Sequence, residues 1–209
     1  MTVRDRCDSG IALTFDDGPC ADWTPRVLEE LASCGAPATF FVDISRAVTY
    51  PGLVERMLRE GHQVGLHCVR HVRHADRGVQ GVTEEAEMGV ATLRSIGAEP
   101  TVWRTPWGEV TESTIAIARQ HGLELWGWSE DTHDWRGDGR ETILGAIGPS
   151  LTEGSVVLMH DGVGPGADRD HCGETVGLIG PLVALARDRG LEPRTLAACS
   201  RAEPAGAAL

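Results

Sequence analysis

Hydrophobic positions along the chain follow two periods. Short apolar runs predict strands at Ile11–Phe15, Ala38–Val42, Gln63–His67, Thr101–Arg104, Leu123–Trp128, Ser155–His160 and Pro193–Leu196. Between them, longer amphipathic stretches predict helices at Thr24–Cys34, Tyr50–Glu60, Thr83–Ile96, Glu112–His121, Arg140–Ile147 and Glu174–Arg189. Thr24-Pro25 suits a helix start, because Thr caps free N–H groups and Pro fits the first turn. Gly35, Gly61, Gly97, Gly122 and Gly190 each follow a predicted helix, where a left-handed stop is easy for Gly. Strand–helix alternation implies an α/β fold, a parallel sheet with helices outside it. Strands in this number and order favour a distorted, incomplete (β/α) barrel over an open doubly wound sheet. The first strand is not followed by Gly-x-Gly-x-x-Gly, which weakens the dinucleotide-binding alternative.

The length of 209 residues fits one domain, assigned to residues 1–200, with the Ala/Gly/Pro-rich segment 201–209 expected to be a flexible tail. A net charge of −12 repels phosphate backbones and anionic lipid, so neither nucleic acid nor a membrane is an expected partner. All 19 basic residues are Arg. Without Lys there is no Schiff-base amine and no phosphate-loop lysine, which excludes pyridoxal enzymes, lysine aldolases and P-loop NTPases. The start of the chain carries no apolar leader and predicts a cytoplasmic protein. The six Cys are scattered without a Cys-x-x-Cys, and free thiols are expected.

The reactive side chains fall at one end of successive strands. Asp16 and Asp17 end the first, His67 the third and Arg104 the fourth; Asp131 and Asp134 follow the fifth, and His160 and Asp161 end the sixth. In a parallel (β/α) fold these ends share one face, where such folds place active sites. Asp16-Asp17-Gly18-Pro19 also reads as a plain turn with a solvated carboxylate. His67 and His71, four apart, can share a metal, or be two unrelated members of a His-rich stretch. With a strand-end Asp they form a two-His, one-carboxylate set that leaves positions open for water and substrate. Arg104 can hold one of the paired Asp ionised, or be a surface Arg in a turn. His160 is either a satisfied core residue or a general acid facing the site.

Thr14-Phe15-Asp16-Asp17-Gly18-Pro19, the His67–His71 pair, Arg104-Thr105-Pro106-Trp107-Gly108, Asp131-Thr132-His133-Asp134-Trp135 and Leu158-Met159-His160 come in that order. Together they resemble the polysaccharide deacetylase family (NodB-homology domain, carbohydrate esterase family 4) from about Gly10 to Ala198. The resemblance implies the NodB-type deacetylase fold and one divalent metal, most often Zn²⁺, with Co²⁺, Mn²⁺, Fe²⁺ or Ni²⁺ as alternatives. It makes Asp17, His67 and His71 the ligands and Asp16 the general base, oriented by Arg104. It assigns the Trp107 backbone N–H to the oxyanion and His160 to the general acid, tuned by Asp134 with help from Asp131. Trp135 and Leu158 would wall the acyl pocket. Two residues depart from the family pattern. Cys68 stands where Ser or Thr is usual, and Trp107 where Tyr is commoner.

The implied activity is metal-dependent hydrolysis of an N-acetyl or other small N-acyl amide. The expected substrate is a small soluble amino sugar or secondary-metabolite intermediate. The alternatives are hydrolysis of another C–N bond (deformylation, longer-chain deacylation or a cyclic amide or ureide), and a metal-binding module without catalysis. A two-His, one-carboxylate oxygenase leaves Asp16, Arg104 and His160 without a joint role.

Overall fold

The computed structural model describes residues 2–199. β1 (Ile11–Asp16) is buried at every position, as expected for a strand covered on both faces of a parallel sheet. Its Thr14 hydroxyl is satisfied internally, donating to the Val157 carbonyl at 2.6 Å. Around it run β2 (Thr39–Asp43), β3 (Gln63–Cys68), β4 (Val102–Trp103), β5 (Glu124–Leu125), β6 (Glu130–Asp131), β7 (Val156–His160) and β8 (Pro193–Arg194). The order across the sheet is β5-β4-β3-β2-β1-β7-β6, with β8 also on β1, and every pairing is parallel.

This order forces the sheet to curl. β5 and β6 lie at its opposite edges, yet residues 126–129 alone join them. A flat sheet of this width would separate its edge strands by about 29 Å at roughly 4.8 Å per strand. The chain from Leu125 to Glu130 reaches at most about 18 Å. The edges therefore approach each other, and the sheet is an incomplete (β/α) barrel. The N-terminal segment lies beside these edges: Arg4 forms a parallel bridge to Trp126, and Arg6 an antiparallel one to Ser155.

The helices are α1 (Thr24–Cys34), α2 (Ile44–Thr49), α3 (Pro51–Arg59), α4 (Gly78–Ser95), α5 (Glu112–Gln120), α6 (Arg140–Ile147), α7 (Gly173–Asp188) and α8 (Leu196–Cys199). Val27, Leu28 and Leu31 of α1 and Leu178, Ile179 and Leu182 of α7 are buried in the same apolar cluster as Phe15 and Phe40, whose rings stack at 5.1 Å. No helix among the described residues is long and apolar enough to cross a membrane.

The structure departs from the sequence expectations at several points. The predicted strand Leu123–Trp128 shortens to β5, while β6 forms beyond it at Glu130–Asp131; both tryptophans fall in the connection between them, with different roles. Trp126 is core, whereas Trp128 lines a pocket. The strand Thr101–Arg104 shortens to β4, and Pro193–Leu196 to β8 with Leu196 opening α8. Helix α2, which no apolar period marks, is capped by Asp43, whose Oδ1 accepts from the Ser45 and Arg46 N–H groups. The tail expected at 201–209 lies outside the described residues.

The cysteine expectation is corrected. Cys7 and Cys199 form a disulfide, while Cys20, Cys34, Cys68 and Cys172 are free. The pairing links residues 192 apart, so no local cysteine spacing predicts it. Closing so long a loop restricts the unfolded chain and stabilises the fold by about 2–4 kcal/mol. Denatured, non-reduced protein should expose four reactive thiols, rising to the full six after reduction, with a lower Tm for the reduced form. Six thiols before reduction would contradict the pairing.

Candidate active site

The parallel register delivers the polar residues to one end of the barrel. Asp16 of β1 pairs directly with His160 of β7, and Asp131 of β6 with Leu158. His67 sits near the end of β3, and Arg104 follows β4.

Arg104 is fully buried beneath Asp16. Its Nη1 donates to Asp16 Oδ1 at 2.9 Å and to Thr14 Oγ1 at 2.7 Å, and its Nη2 donates to the Gly127 carbonyl at 2.7 Å. The guanidinium Cζ lies over the Phe41 ring, 4.3 Å from its centroid. A buried guanidinium with its donors satisfied this way fixes the orientation of the carboxylate it pairs with. The Asp16 Oδ2 oxygen takes no donor from the described residues.

Asp17 turns the other way. Its φ of 71° is left-handed, a conformation that costs a non-Gly residue about 1–3 kcal/mol and occurs where a site demands it. The turn aims its carboxylate at two imidazoles: Oδ1 lies 3.4 Å from Nε2 of His67 and 3.4 Å from Nε2 of His71. His67 Nδ1 sits 2.8 Å from the Arg104 carbonyl. A carbonyl only accepts, so Nδ1 keeps its proton, and Nε2 presents a lone pair to a cation once it gives up its own. Burial pushes the Asp17 pKa up. The hydrogen bond and charge of His67, with His160 and His71, outweigh it and hold the carboxyl well below the usual range. Burial lowers the His67 pKa, but Asp16 and Asp17 raise it further, for a net increase. His71 shifts down, through burial and the neighbouring His67.

These three residues fit a metal. Their ligand atoms all lie within 4.8 Å of one another. Zinc bonds of about 2.0–2.1 Å at a tetrahedral angle place ligand atoms roughly 3.3 Å apart, which matches the 3.4 Å separations from Asp17. The carbonyl behind His67 is the outer partner that a ligating imidazole requires. A Cβ on Gly164 would run into the Asp17 carboxylate, so the loop over the site needs glycine there.

Opposite stands His160, whose Nδ1 lies 2.7 Å from Asp134 Oδ1. Asp134 is fully buried, and its Oδ2 accepts from the His160 N–H at 3.0 Å and from Thr175 Oγ1 at 2.6 Å, with Arg169 Nη1 at 3.2 Å. Burial pushes the Asp134 pKa up, but the charges of His160 and Arg169 and the hydrogen bonds hold it at about 2. Burial pulls His160 down, and Asp134, followed by Asp16 and Asp17, raises it to about 9.

The pocket above these groups has a volume of about 310 Å³. Asp16, Asp17, His67, His71 and His160 form its floor, and Trp107, Trp128, Asp131, Trp135 and Leu158 its walls. The sequence-predicted residues therefore converge, with Arg104 and Asp134 buried behind them. Trp107 is 43% exposed, has a left-handed φ of 54°, and sets its ring edge-on to His71 at 4.2 Å. Asp131 accepts from the His133 N–H at 2.8 Å, and the side-chain partner of His160 is Asp134 instead.

The sequence matches the family profile described as polysaccharide deacetylase over residues 4–126. It is 32% identical over 182 residues to a peptidoglycan-N-acetylglucosamine deacetylase of Bacillus cereus, covering 86% of this chain and 83% of that protein. The chain belongs to the polysaccharide deacetylase family. A chitooligosaccharide deacetylase of Sinorhizobium fredii is 33% identical over 192 residues, which cover 89% of each chain. Among solved structures, a family 4 carbohydrate esterase from Streptomyces lividans in complex with acetate superposes with a TM-score of 0.82. It is 25% identical, and the match covers 95% of this chain and 99% of that one. A peptidoglycan N-acetylglucosamine deacetylase gives 0.85 at 28% identity, with 93% and 92% covered. The protein is accordingly an N-deacetylating hydrolase with the NodB-type fold.

Two features of the deacetylase were missed in the sequence. Arg169 lies in a Gly-rich loop and pairs with buried Asp134, Thr175 and the His160 carbonyl. Gly164 admits the loop above Asp17. The glycine density of residues 162–173 was the visible signal, but nothing in it singled out Arg169.

The His160–Asp134 pair makes a titration prediction for metal-stripped protein. The folded pKa of His160 lies above the ordinary 6.5, so the pair stabilises the fold fully below pH 6.5 and loses that contribution as pH rises through about 9. Histidine NMR should show one imidazole titrating near pH 9, and at clearly lower pH in Asp134→Asn, where only Asp16 and Asp17 still oppose burial. An unshifted value in both proteins would contradict the ion pair.

Proposed function

We propose that the protein removes the N-acetyl group from N-acetylglucosamine units of an oligomeric or polymeric glycan, using one divalent cation, most naturally Zn²⁺. The observation that carries this reading is the convergence of Asp17, His67 and His71 beside Asp16, facing His160 across one pocket. The named activities of the relatives, on peptidoglycan and chitooligosaccharide, support a glycan and replace the small soluble substrate expected from the sequence. Indole faces on the pocket walls suit sugar rings. The Cys7–Cys199 disulfide supports work in an oxidising compartment rather than the cytoplasm.

Asp17, His67 and His71 would hold the cation. When bound, it supplies Lewis acidity, acidifying a water and polarising the amide carbonyl. Asp16 accepts the proton of the attacking water at Oδ2, the oxygen that Arg104 leaves free. Arg104 and Thr14 keep that carboxylate from rotating. The backbone N–H of Trp107, a residue of the pocket wall, would donate to the developing oxyanion. His160, held protonated by Asp134, gives its proton to the departing amine from Nε2. Trp135, Leu158 and Asp131 shape the space around the acetyl group and the sugar.

Metal-loaded protein should release acetate from N-acetylated chitooligosaccharides or peptidoglycan, lose the activity with a chelator and recover it with Zn²⁺ or Co²⁺. Asp16→Asn and His160→Ala should each lower kcat by about 10²–10⁴-fold. A metal-loaded protein inert on every N-acetyl glycan would overturn the reading.

A further inference from the structure

His67 and His71 differ in how firmly they are held. His67 belongs to β3, donates from Nδ1 to the Arg104 carbonyl, and has its own carbonyl bound by Trp103 Nε1 at 3.1 Å. His71 lies in a segment without helix or strand, and its Nδ1 is buried with no hydrogen-bond partner among the described residues. No side-chain hydrogen bond orients that ring, so its aim depends on where the backbone of residues 69–71 sits. Cys68 adds little, because its thiol is a weak donor and faces Asp43 Oδ2 at 3.8 Å.

That backbone is tied to one side chain. Glu85 of α4 is only 1% exposed. Its Oε1 accepts from the Val69 N–H and, at 3.3 Å, from the Arg70 N–H, while its Oε2 pairs with Arg77. A carboxylate in the interior is costly unless it is paired, and here every partner is a loop N–H or Arg77. The turn continues with the Val72 N–H on the Arg70 carbonyl at 2.7 Å. Both of these connections sit between or beside the two imidazoles.

We propose that Glu85 is a positioning residue for the cation site: by anchoring the Val69–Arg70 backbone to α4, it sets the second histidine against Asp17. The inference rests on the metal-site reading above. Glu85 touches neither substrate nor cation, and acts only through the loop. Its loss should weaken metal binding by the amount typical of outer partners, about 10–100-fold.

The test measures Zn²⁺ affinity by competition with a chromophoric chelator, the visible spectrum of the Co²⁺ form, and the Tm of the metal-free protein. Two conservative variants separate positioning from general stability. Glu85→Gln keeps an oxygen for the loop N–H groups but loses the charge facing Arg77. It should lower the Tm yet bind Zn²⁺ within about threefold of wild type, well inside the range expected for a lost outer partner. Glu85→Asp keeps the charge but withdraws it from the loop. It should bind Zn²⁺ about 10–100-fold more weakly, with an altered Co²⁺ spectrum. Wild-type affinity in Glu85→Asp, or an equal loss in both variants, overturns the proposal while leaving the metal site standing. Wild-type protein that takes up no metal overturns the site reading and this inference together.

Discussion

Two neighbouring carboxylates end the central strand, and both are nearly buried, Asp16 at 4% and Asp17 at 7% exposure. Like charges this close repel strongly in a low-dielectric interior unless each has its own positive partner. The site can be derived from that requirement. Asp16 has Arg104 beneath it, and the left-handed turn at Asp17 sends the second carboxylate to the two imidazoles instead. One acid is thereby fixed in orientation with an oxygen to spare, while the other is left in the company of nitrogen ligands.

The barrel makes this division possible. Because β1 is flanked by β2 and β7 and the sheet curls until its edges approach, groups from β3, the segment after β4 and the end of β7 face β1 from different sides. Arg104 reaches Asp16 from below, through a layer closed by Thr14, Phe41 and Gly127. His160 stands beside Asp16 in register, and its own counter-ion Asp134 is locked from behind by Thr175 and Arg169. Positive and negative groups alternate around the pocket, so opposing chemical tasks can coexist within it.

Much of this was legible in the sequence, because strand-end positions are visible once the strands are placed. Asp16, His67 and His160 end apolar runs, and a parallel order sends such residues to one face. Arg104 was legible for the same reason. What escaped notice depends on contacts between distant segments. Arg169 and Glu85 read as ordinary charged residues of a loop and a helix, and only the fold reveals that both are buried against site backbone or side chains. The disulfide joins the two ends of the described chain, a proximity that no local pattern encodes. Strand Leu123–Trp128 misled because only Glu124–Leu125 joins the sheet there; Trp126 and Trp128 belong to the crossing from one sheet edge to the other, which ends at Glu130.

The central claim is that Asp17, His67 and His71 together hold one divalent cation. X-ray absorption on protein loaded with one equivalent of Zn²⁺ tests it most directly. The account predicts a first shell of nitrogen and oxygen at about 2.0–2.1 Å with two imidazole scatterers, falling to one in His71→Ala. A shell containing sulfur at about 2.3 Å, or two imidazoles persisting in His71→Ala, would contradict it.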